Sequence, residues 1–397
     1  MLKNNKINIL LVVFISIIFC SNNEEEYVIL VSFDGFRHDY VDRIETSYFD
    51  YVEKWGVKAK SLKPVFPSFT FPNHYAIATG CYSNKHKILG NEFNTEMGRY
   101  SYKDKSSVQD SKWYGAEPIW VTAEKNDIIT ATYFWVGSEA KIGGYYPTYY
   151  KNYESGINPY AKVDQAIEWL EYPVSSRPRL VCLYFEEPDH AGHVFGPNSI
   201  EVTNQIKSSD DILGYLLKSI SKIDIFDKIN VVIVSDHGMV DVALNQVINI
   251  DDFNLPGILD EKGPIMSFKV DPDMDFSINE LNIPNVSIVP SRNNNNLNYH
   301  NSLYDYLFIA NEGWMMYKNE HIKQYDGKLP VKGMHGYDSD YMNMHAIFYA
   351  YGPRFKENYK IETFELIHIY PLLCELLGLN PNDNIDGDLR VLESILK

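Results

Sequence analysis

The sequence predicts an α/β fold with a mostly parallel central sheet, helices on both of its faces and a loop-rich insertion. Three apolar runs, VILVSFDG, LVCLYFEEPDH and VVIVSDHG, have the length and composition of buried parallel strands. Segments with helical spacing separate these runs, for example Val163, Ile167 and Leu170 ahead of the second run. Because strands that alternate with helices form parallel sheets covered on both faces, this pattern defines the fold class.

The composition is that of a folded globular protein with an acidic surface. Of the 397 residues, 45% are hydrophobic and 14% are aromatic, which is ample material for a packed core. The formal net charge of −17 opposes binding to polyanions, so we expect no nucleic-acid polymer as a partner. Any phosphate group that the protein handles must be met locally, by a metal ion or by aimed hydrogen-bond donors.

The first residues have the features of a secretory signal peptide, which we place at residues 1–21. Lys3 and Lys6 precede an apolar run over residues 7–19, which is too short for a comfortable membrane span. The C-terminal sequence VLESILK offers neither a second span nor a lipid-anchor tail, so we expect no stable membrane anchor. The protein is therefore expected to be secreted or lumenal, and Asn285 begins a glycosylation sequon that fits this route.

Each of the three apolar runs is followed by an acid, namely Asp34, Asp189 and Asp236. In an open parallel sheet, ligands bind outside the carboxyl ends of the strands, so these acids are expected to share one edge. Three carboxylates at one edge repel each other unless cations lie between them. A single aspartate at a strand end more often caps a turn, and it is the repetition that favours a cation site.

Histidines accompany these acids. His190 and His193 follow Asp189, His237 follows Asp236, and His335 stands in the stretch KGMHGYD. Imidazole and carboxylate ligands together suit zinc, so we predict two Zn²⁺ ions at this edge. A lone histidine is more often a hydrogen-bonded core residue than a ligand, and only the joint pattern favours metal binding.

The stretch SFTFPNHY places a hydroxyl, Thr70, directly before a helix start. Pro72 suits a first helical turn, and FPNHYAIAT followed by Gly80 predicts a short helix with a natural end. At a helix N-terminus, the free N–H groups and the helix dipole favour an alkoxide and an incoming phosphate. A threonine that only caps the helix is the alternative, and the predicted metal ligands favour a nucleophile.

Residues 240–330 break the alternation of strands and helices. Stretches such as DPDMDF, LNIPNV and the asparagine tract 293–296 predict turns and loops, not a further strand and helix pair. We therefore predict an insertion or cap region here, within one domain that spans residues 22–397. The alternation resumes with the stretch MHAIFYAYGP and a last helix near FELIHIYPLLCELLG.

Five motifs, in order, resemble the catalytic domain of the nucleotide pyrophosphatase/phosphodiesterase (ectonucleotide) family, within the alkaline phosphatase superfamily. They are FDGFR, PVFPSFTFPNHYAIATGCYSNKHKILGN, PDHAGH, SDHGM and MHGYD. The resemblance runs from about Tyr27 to the C-terminus, so it implies an alkaline-phosphatase-like fold and a single phosphodiesterase catalytic domain. It departs at Met334, where family members commonly carry an acid, so the surroundings of one zinc are expected to differ.

The resemblance also implies roles for individual residues. It gives one zinc the ligands Asp34, Asp236, His237 and the nucleophile Thr70, and the second zinc the ligands Asp189, His193 and His335. Asn91, in ILGN, matches an amide that hydrogen-bonds a phosphate oxygen. The implied reaction is hydrolysis of nucleotide phosphodiester or pyrophosphate bonds to a nucleoside 5′-monophosphate, through a covalent phospho-threonine.

The substrate is expected to be a small nucleotide or another phosphodiester. Phe71 and Tyr153 match two aromatic residues that stack on either side of a nucleobase, although both ring types more often fill core space. One alternative is a lysophospholipase C-type enzyme that releases phosphocholine, and another is a secreted phosphomonoesterase. A binding protein without activity would lack a ligand or the nucleophile, and none is missing.

Overall fold

A computed structural model describes residues 25–274, 276–278, 281–325 and 328–397. The predicted signal peptide at residues 1–21 lies outside the described residues. Within them, the helices are α1 (Ser47–Trp55), α2 (Thr70–Thr79), α3 (Ser83–His86), α4 (Lys105–Val108), α5 (Ile119–Glu124), α6 (Pro159–Leu170), α7 (Asp189–Phe195), α8 (Ile200–Ile220), α9 (Asn319–Gln324) and α10 (Ile369–Leu377).

The strands of the described chain form one large sheet and several small ones. They are β1 (Tyr27–Phe33), β2 (Val57–Ala59), β3 (Leu62–Lys63), β4 (Glu92–Thr95), β5 (Gly98–Ser101), β6 (Thr130–Tyr133), β7 (Tyr149–Lys151), β8 (Leu180–Phe185), β9 (Ile229–Val234), β10 (Val240–Asp241), β11 (Val247–Asn249), β12 (Gly257–Asp260), β13 (Ile265–Val270), β14 (Val286–Pro290), β15 (Tyr306–Ala310), β16 (Met315–Tyr317), β17 (Gly333–Met334), β18 (Phe348–Tyr351), β19 (Tyr359–Ile361) and β20 (Phe364–Glu365).

The large sheet has eight strands in the order β19-β2-β18-β9-β1-β8-β6-β7. Every strand runs parallel to its neighbours except β18, which is antiparallel to both β2 and β9. The three apolar runs singled out in the sequence are the adjacent central strands β9, β1 and β8, paired in parallel. This arrangement confirms the predicted α/β fold with a mostly parallel sheet.

Helices cover both faces of the sheet, because alternate residues of the central strands face opposite cores. Val28 and Leu30 of β1 belong to one apolar cluster, together with residues of α2, α5 and α10. Ile29 and Val31 belong to the other cluster, together with residues of α1, α6 and α8. Burial of both faces explains why the strands appear in the sequence as continuous apolar runs.

The predicted insertion carries the expected turns, but it also contains an antiparallel sheet that its sequence did not indicate. Strands β12, β13, β15 and β14 pair in that order. Phe268 and Phe308 on one face form a separate apolar cluster, whereas Leu307 and Ile309 on the other face join the main core. Since both faces of the inner strands are buried, they lack the alternation that marks a half-exposed strand.

Within the part of the chain that the structure describes, no helix combines the length and the apolar character needed to cross a bilayer.

Candidate metal centre and active site

Three acids lie at one edge of the large sheet, where the sequence analysis expected them. Asp34 directly follows β1, Asp236 comes two residues after β9, and Asp189 is the first residue of α7, which follows β8. Since β9, β1 and β8 are adjacent parallel strands, their carboxyl ends bring the acids into one place.

Gly35 allows this close approach. Its φ of +67° is a left-handed conformation, and a Cβ at this position would lie 2.7 Å from Cβ of Asp189. Its N–H donates to Oδ1 of Asp236 over 3.1 Å. Because Gly35 has no side chain, its backbone can pack against Asp189 and bond Asp236, so the residues that follow the three strands lie close together.

One candidate metal group consists of Asp34, Asp236 and His237, all of them buried. Their ligand atoms lie within 4.8 Å of one another. Nε2 of His237 is 3.3 Å from Oδ1 of Asp34 and 3.1 Å from Oδ2 of Asp236. These three atoms surround a small common space in which a cation would meet all of them.

The second candidate group consists of Asp189, His193 and His335. Helix α7 places His193 one turn after Asp189, with Nε2 3.5 Å from Oδ1 of the acid. His335 follows β17, and its Nε2 lies 3.6 Å from the same oxygen. The two groups adjoin, because the rings of His237 and His335 stack with centroids 3.6 Å apart.

The hydrogen bonds of the three histidines leave Nε2 free to bind metal. Nδ1 of His237, His193 and His335 lies 2.8–2.9 Å from the backbone oxygens of Gly238, Gly333 and Ser68, respectively. A carbonyl oxygen only accepts, so each Nδ1 carries a proton, and each ring in its neutral form presents a lone pair at Nε2. Nε2 of His193 and Nε2 of His335 face each other at 3.1 Å, an arrangement that a cation between them would stabilise.

Each of the three carboxylates has one buried oxygen without a hydrogen bond among the described residues. These atoms are Oδ1 of Asp34, Oδ1 of Asp189 and Oδ2 of Asp236. They are the same oxygens that face the histidine Nε2 atoms. Buried, unpaired carboxylate oxygens are costly, and a metal ion would satisfy all three. The donor set therefore fits two metal ions.

The electrostatics of the site agree with a need for cations. Burial, together with the charges of Asp236 and Asp189, raises the pKa of Asp34 to about 7. Burial likewise raises the pKa of Asp189 to about 7, and Asp236 adds to the effect. Burial lowers the pKa of His335 well below its ordinary value, which keeps the ring neutral. In the first group, by contrast, burial is outweighed by the neighbouring carboxylates, chiefly Asp236, which raise the pKa of His237, whose charge in turn helps to lower the pKa of Asp236. Acids that resist ionisation, and an imidazole that is drawn toward its charged form, both mark a site that lacks positive charge.

Thr70 is the first residue of α2, and its hydroxyl does not cap that helix. The cap position is Phe69, and Gly80 ends the helix in a left-handed conformation with φ of 65°. Oγ1 of Thr70 lies 3.2 Å from Nε2 of His237. The hydroxyl therefore faces the first metal group, and the alternative of a threonine used only as a cap does not apply.

The loop from Ser68 to Phe69 is held close to the second group. Gly336, with φ of +102°, allows this approach, because a Cβ there would lie 2.1 Å from Cε1 of Phe69. The N–H of Gly336 donates to Oγ of Ser68 over 3.1 Å. Since the Ser68 carbonyl also orients His335, the departure at Met334 does not remove the hydrogen-bond partner of that histidine.

Asn91 lies next to the proposed nucleophile. Its Oδ1 accepts the backbone N–H of Phe71 over 2.9 Å. This bond fixes the side-chain amide, and the hydrogen bonds of the described residues include none from its Nδ2. A fixed amide with free N–H groups, one residue from Thr70, is suited to an anionic ligand.

The two aromatic residues predicted for a base slot belong to different groups of rings. The Phe71 ring lies 6.2 Å from the Tyr100 ring and 5.7 Å from the Tyr102 ring. Tyr153 is 43% exposed, and its hydroxyl donates to Glu186. No ring contact of the described residues joins Phe71 to Tyr153 directly, so the slot remains a prediction.

Sequence reasoning missed two buried residues that contact the candidate ligands. No spacing in the sequence indicates a role for His74, but its Nδ1 lies 3.0 Å from the backbone carbonyl oxygen of Thr70 and 3.2 Å from Oδ2 of Asp236. The hydroxyl of Tyr184 donates to Oδ2 of Asp34 over 2.5 Å. Oγ of Ser32 lies 2.8 Å from Nε2 of His74. Both Tyr184 and Ser32 are polar residues within apolar strands, and this feature of the sequence could have indicated their role at the site.

A buried pair of metal groups at the carboxyl edge of a parallel sheet, with a helix-start threonine beside them, is the arrangement of a metal-assisted phosphoryl hydrolase. Residues 28–338 match the protein family described as type I phosphodiesterase / nucleotide pyrophosphatase. The chain belongs to this family, which confirms the resemblance seen in the motifs.

Relatives extend over nearly the whole chain. A venom phosphodiesterase, CdcPDE, of Crotalus durissus collilineatus is 33% identical over 400 residues, which cover 94% of this chain and 47% of that protein. Ectonucleotide pyrophosphatase/phosphodiesterase family member 5 of Homo sapiens is 32% identical, covering 94% of this chain and 78% of that protein. The chain thus spans about half the length of the venom relatives.

The fold is also that of a solved relative. Murine ectonucleotide pyrophosphatase / phosphodiesterase 5, in an inactive threonine-to-alanine form in complex with AMP, superposes with a TM-score of 0.86 and 30% identity. The match covers 94% of this chain and 100% of that chain. It confirms the predicted alkaline-phosphatase-like α/β class.

Proposed function

We propose that this chain is a two-zinc phosphodiesterase and nucleotide pyrophosphatase. It hydrolyses phosphodiester or pyrophosphate bonds of small nucleotides to a nucleoside 5′-monophosphate, through a phospho-threonine at Thr70. The observation that carries the proposal is the position of the Thr70 hydroxyl, 3.2 Å from Nε2 of His237 and next to two groups of buried ligands.

Zinc is the ion that suits this donor set best. One group offers two carboxylates and one imidazole, and the other offers one carboxylate and two imidazoles. These are the nitrogen and oxygen ligands of catalytic zinc sites. The proposed ligands are Asp34, Asp236 and His237, with Thr70, for one ion and Asp189, His193 and His335 for the other. When bound, two such ions supply positive charge that activates a hydroxyl and stabilises the phosphoryl oxygens.

The side chains of this protein define the two steps. Oγ1 of Thr70 attacks phosphorus, so that a Thr70–phosphorus bond forms as the bond to the leaving group breaks and the hydroxyl proton passes to solvent. Water then attacks the same phosphorus, and the bond to Oγ1 breaks. The threonine hydroxyl is restored, and the nucleoside monophosphate leaves.

Asn91 is proposed to hold a phosphate oxygen. Its Oδ1 is occupied by the Phe71 N–H, so its Nδ2 group is directed elsewhere and is available to an anion beside Thr70. A donor fixed before the substrate arrives costs no reorganisation during the reaction. Phe71 and Tyr153 are proposed to stack on the nucleobase, each such contact contributing roughly 1–3 kcal/mol.

The nucleotide preference is supported by relatives and by the local aromatic groups. A murine relative of 30% identity has been solved with AMP, and other relatives carry phosphodiesterase names. Phe71, which directly follows the proposed nucleophile in the chain, and the partly exposed Tyr153 offer aromatic faces for a base. The signal-peptide motif supports a secreted or lumenal enzyme.

The test compares three chromogenic substrates on the purified full chain. We expect cleavage of p-nitrophenyl-dTMP to exceed that of p-nitrophenyl phosphate and p-nitrophenylphosphocholine. A chelator and the variant Thr70→Ala should each abolish activity, and added Zn²⁺ should restore it only after the chelator. Full activity in Thr70→Ala would refute the covalent route, and preferred cleavage of either other substrate would favour a phosphomonoesterase or a phosphocholine-releasing enzyme.

A further inference from the structure

A buried tyrosine joins a metal ligand to the aromatic side of the site. Tyr184 lies near the end of β8, is 7% exposed, and donates its hydroxyl proton to Oδ2 of Asp34 over 2.5 Å. Because this bond occupies Oδ2, the carboxylate presents Oδ1 toward Nε2 of His237, at 3.3 Å. The tyrosine hydroxyl therefore determines which oxygen of Asp34 faces the metal position.

The ring of Tyr184 supports the other aromatic residues. Its centroid lies 5.3 Å from that of Phe134 and 6.5 Å from that of Tyr153. Phe134 also contacts Tyr153, with centroids 5.0 Å apart. Phe134 has φ of 56°, a left-handed conformation that is unfavourable for a residue with a side chain. That strain occurs at the residue whose ring contacts both tyrosines.

The backbone of Tyr184 is fixed as well. Lys162, a buried lysine of α6, donates from Nζ to the Tyr184 carbonyl oxygen over 3.1 Å. Strand β8 is paired on both sides, with β1 and β6. With the backbone held, a shift of the ring displaces the hydroxyl, and a shift of the hydroxyl displaces the ring.

We propose that Tyr184 is a positioning residue that couples the aromatic face of the cleft to the metal ligand Asp34. The inference rests on the proposed function, since it takes Asp34 as a zinc ligand and Tyr153 as part of the base slot. The hydroxyl acts on metal affinity, and the ring acts on the binding of the nucleotide base. Tyr184→Phe removes only the first effect, whereas Tyr184→Leu removes both.

The first test is titration of the metal-free full chain with Zn²⁺ in competition with a chromophoric chelator. We expect Tyr184→Phe to bind one of two Zn²⁺ ions roughly 10–100-fold more weakly and the other unchanged. Tyr370→Phe is the matched control, because Tyr370 is buried and its hydroxyl bonds Oγ1 of Thr122 at 2.9 Å, outside both metal groups. Unchanged affinity for both ions in Tyr184→Phe would overturn the role of the hydroxyl.

The second test is AMP binding at saturating Zn²⁺. Tyr184→Phe should keep the wild-type affinity within about twofold, and Tyr184→Leu should lose roughly tenfold, because only the latter removes the ring. Wild-type AMP affinity in Tyr184→Leu would overturn the coupling. Cleavage of p-nitrophenyl-dTMP by the wild-type chain is measured in parallel. A chain that binds two Zn²⁺ ions but cleaves no diester would refute the proposed function, while the two binding measurements would still decide on Tyr184.

Discussion

Oγ1 of Thr70 lies 3.2 Å from Nε2 of His237, and the ring of His237 stacks on that of His335 with centroids 3.6 Å apart. The first histidine belongs to one metal group and the second to the other. The hydroxyl is therefore adjacent to the first group and one imidazole ring away from the second. If each group holds a metal ion, the two ions would stabilise the oxygens of a phosphoryl group attached to Thr70.

The two groups should bind metal separately. We expect elemental analysis of the wild-type chain to find two zinc ions per chain and that of His193→Ala to find one, with activity lowered by roughly 100-fold or more. His193 carries one of three ligands of the second group only. His190→Ala is the matched control, since His190 is an exposed histidine on the same helix, α7, and should keep two ions. Two ions in His193→Ala would contradict the ligand assignment.

The amide of Asn91 should act on the transition state and not on the metals. Asn91→Ala should lower kcat by roughly 10²–10³-fold with zinc content unchanged, because one fixed donor to a phosphate oxygen is lost. Asn91→Asp should be at least as inactive, since its carboxylate still accepts from the Phe71 N–H but places a negative charge beside the phosphate. Asn245→Asp makes the same charge change at an exposed position and should leave kcat and zinc content unchanged. Equal activity of Asn91→Asp and the wild type would exclude a phosphate contact.

Much of the fold and of the candidate site was predictable from the sequence, for a physical reason. Strands buried on both faces are continuous apolar runs, and parallel strands bring their carboxyl ends to one edge. The acids Asp34, Asp189 and Asp236 could thus be placed together from the chain alone. The position of Thr70 followed from Pro72, which marks the first turn of α2.

The features of the fold and the site that could not be predicted depend on contacts between residues far apart in the sequence. The bond from Tyr184 to Asp34 joins residues 150 positions apart, and no spacing rule predicts it. The contact of His74 with Asp236 has no signal in the sequence, because only the packing of α2 against the sheet brings the two residues together. The antiparallel sheet of β12 to β15 was missed because its inner strands face two cores and lack alternation.

His74 should hold the backbone at the nucleophile and stabilise a nearby metal ligand. Its Nδ1 lies 3.0 Å from the backbone carbonyl oxygen of Thr70, which can only accept, so Nδ1 carries a proton. The same Nδ1 is 3.2 Å from Oδ2 of Asp236. We expect His74→Leu to lose roughly tenfold or more in zinc affinity at one site, as well as activity. His74→Asn keeps a donor near the Nδ1 position and should retain more of both. If the leucine and asparagine variants lose zinc affinity and activity equally, the donor at Nδ1 does not matter and only the volume of the ring does.

The stability of the protein should fall between pH 4.5 and about 8 because of Glu261. This residue follows β12, and burial, together with the charge of Asp260, raises the pKa of Glu261 from 4.5 to about 8. Below pH 4.5, the carboxyl is neutral in both the folded and the unfolded chain. Between the pKa of the unfolded chain and that of the folded chain, the unfolded chain releases the proton and the folded chain keeps it. The free energy of unfolding therefore decreases as pH rises.

Glu261→Gln replaces the neutral acid with a neutral amide and should remove this contribution. The variant should be more stable than the wild type at pH 8.5, by on the order of 1–3 kcal/mol, and similar to it at pH 4.5. Urea unfolding of both chains at the two pH values measures the difference, and other titrating groups cancel in the comparison. Glu96→Gln, at an exposed position, controls for the change in net charge. A difference between Glu261→Gln and the wild type that is the same at both pH values would show that Glu261 ionises in the folded chain as it does in the unfolded one.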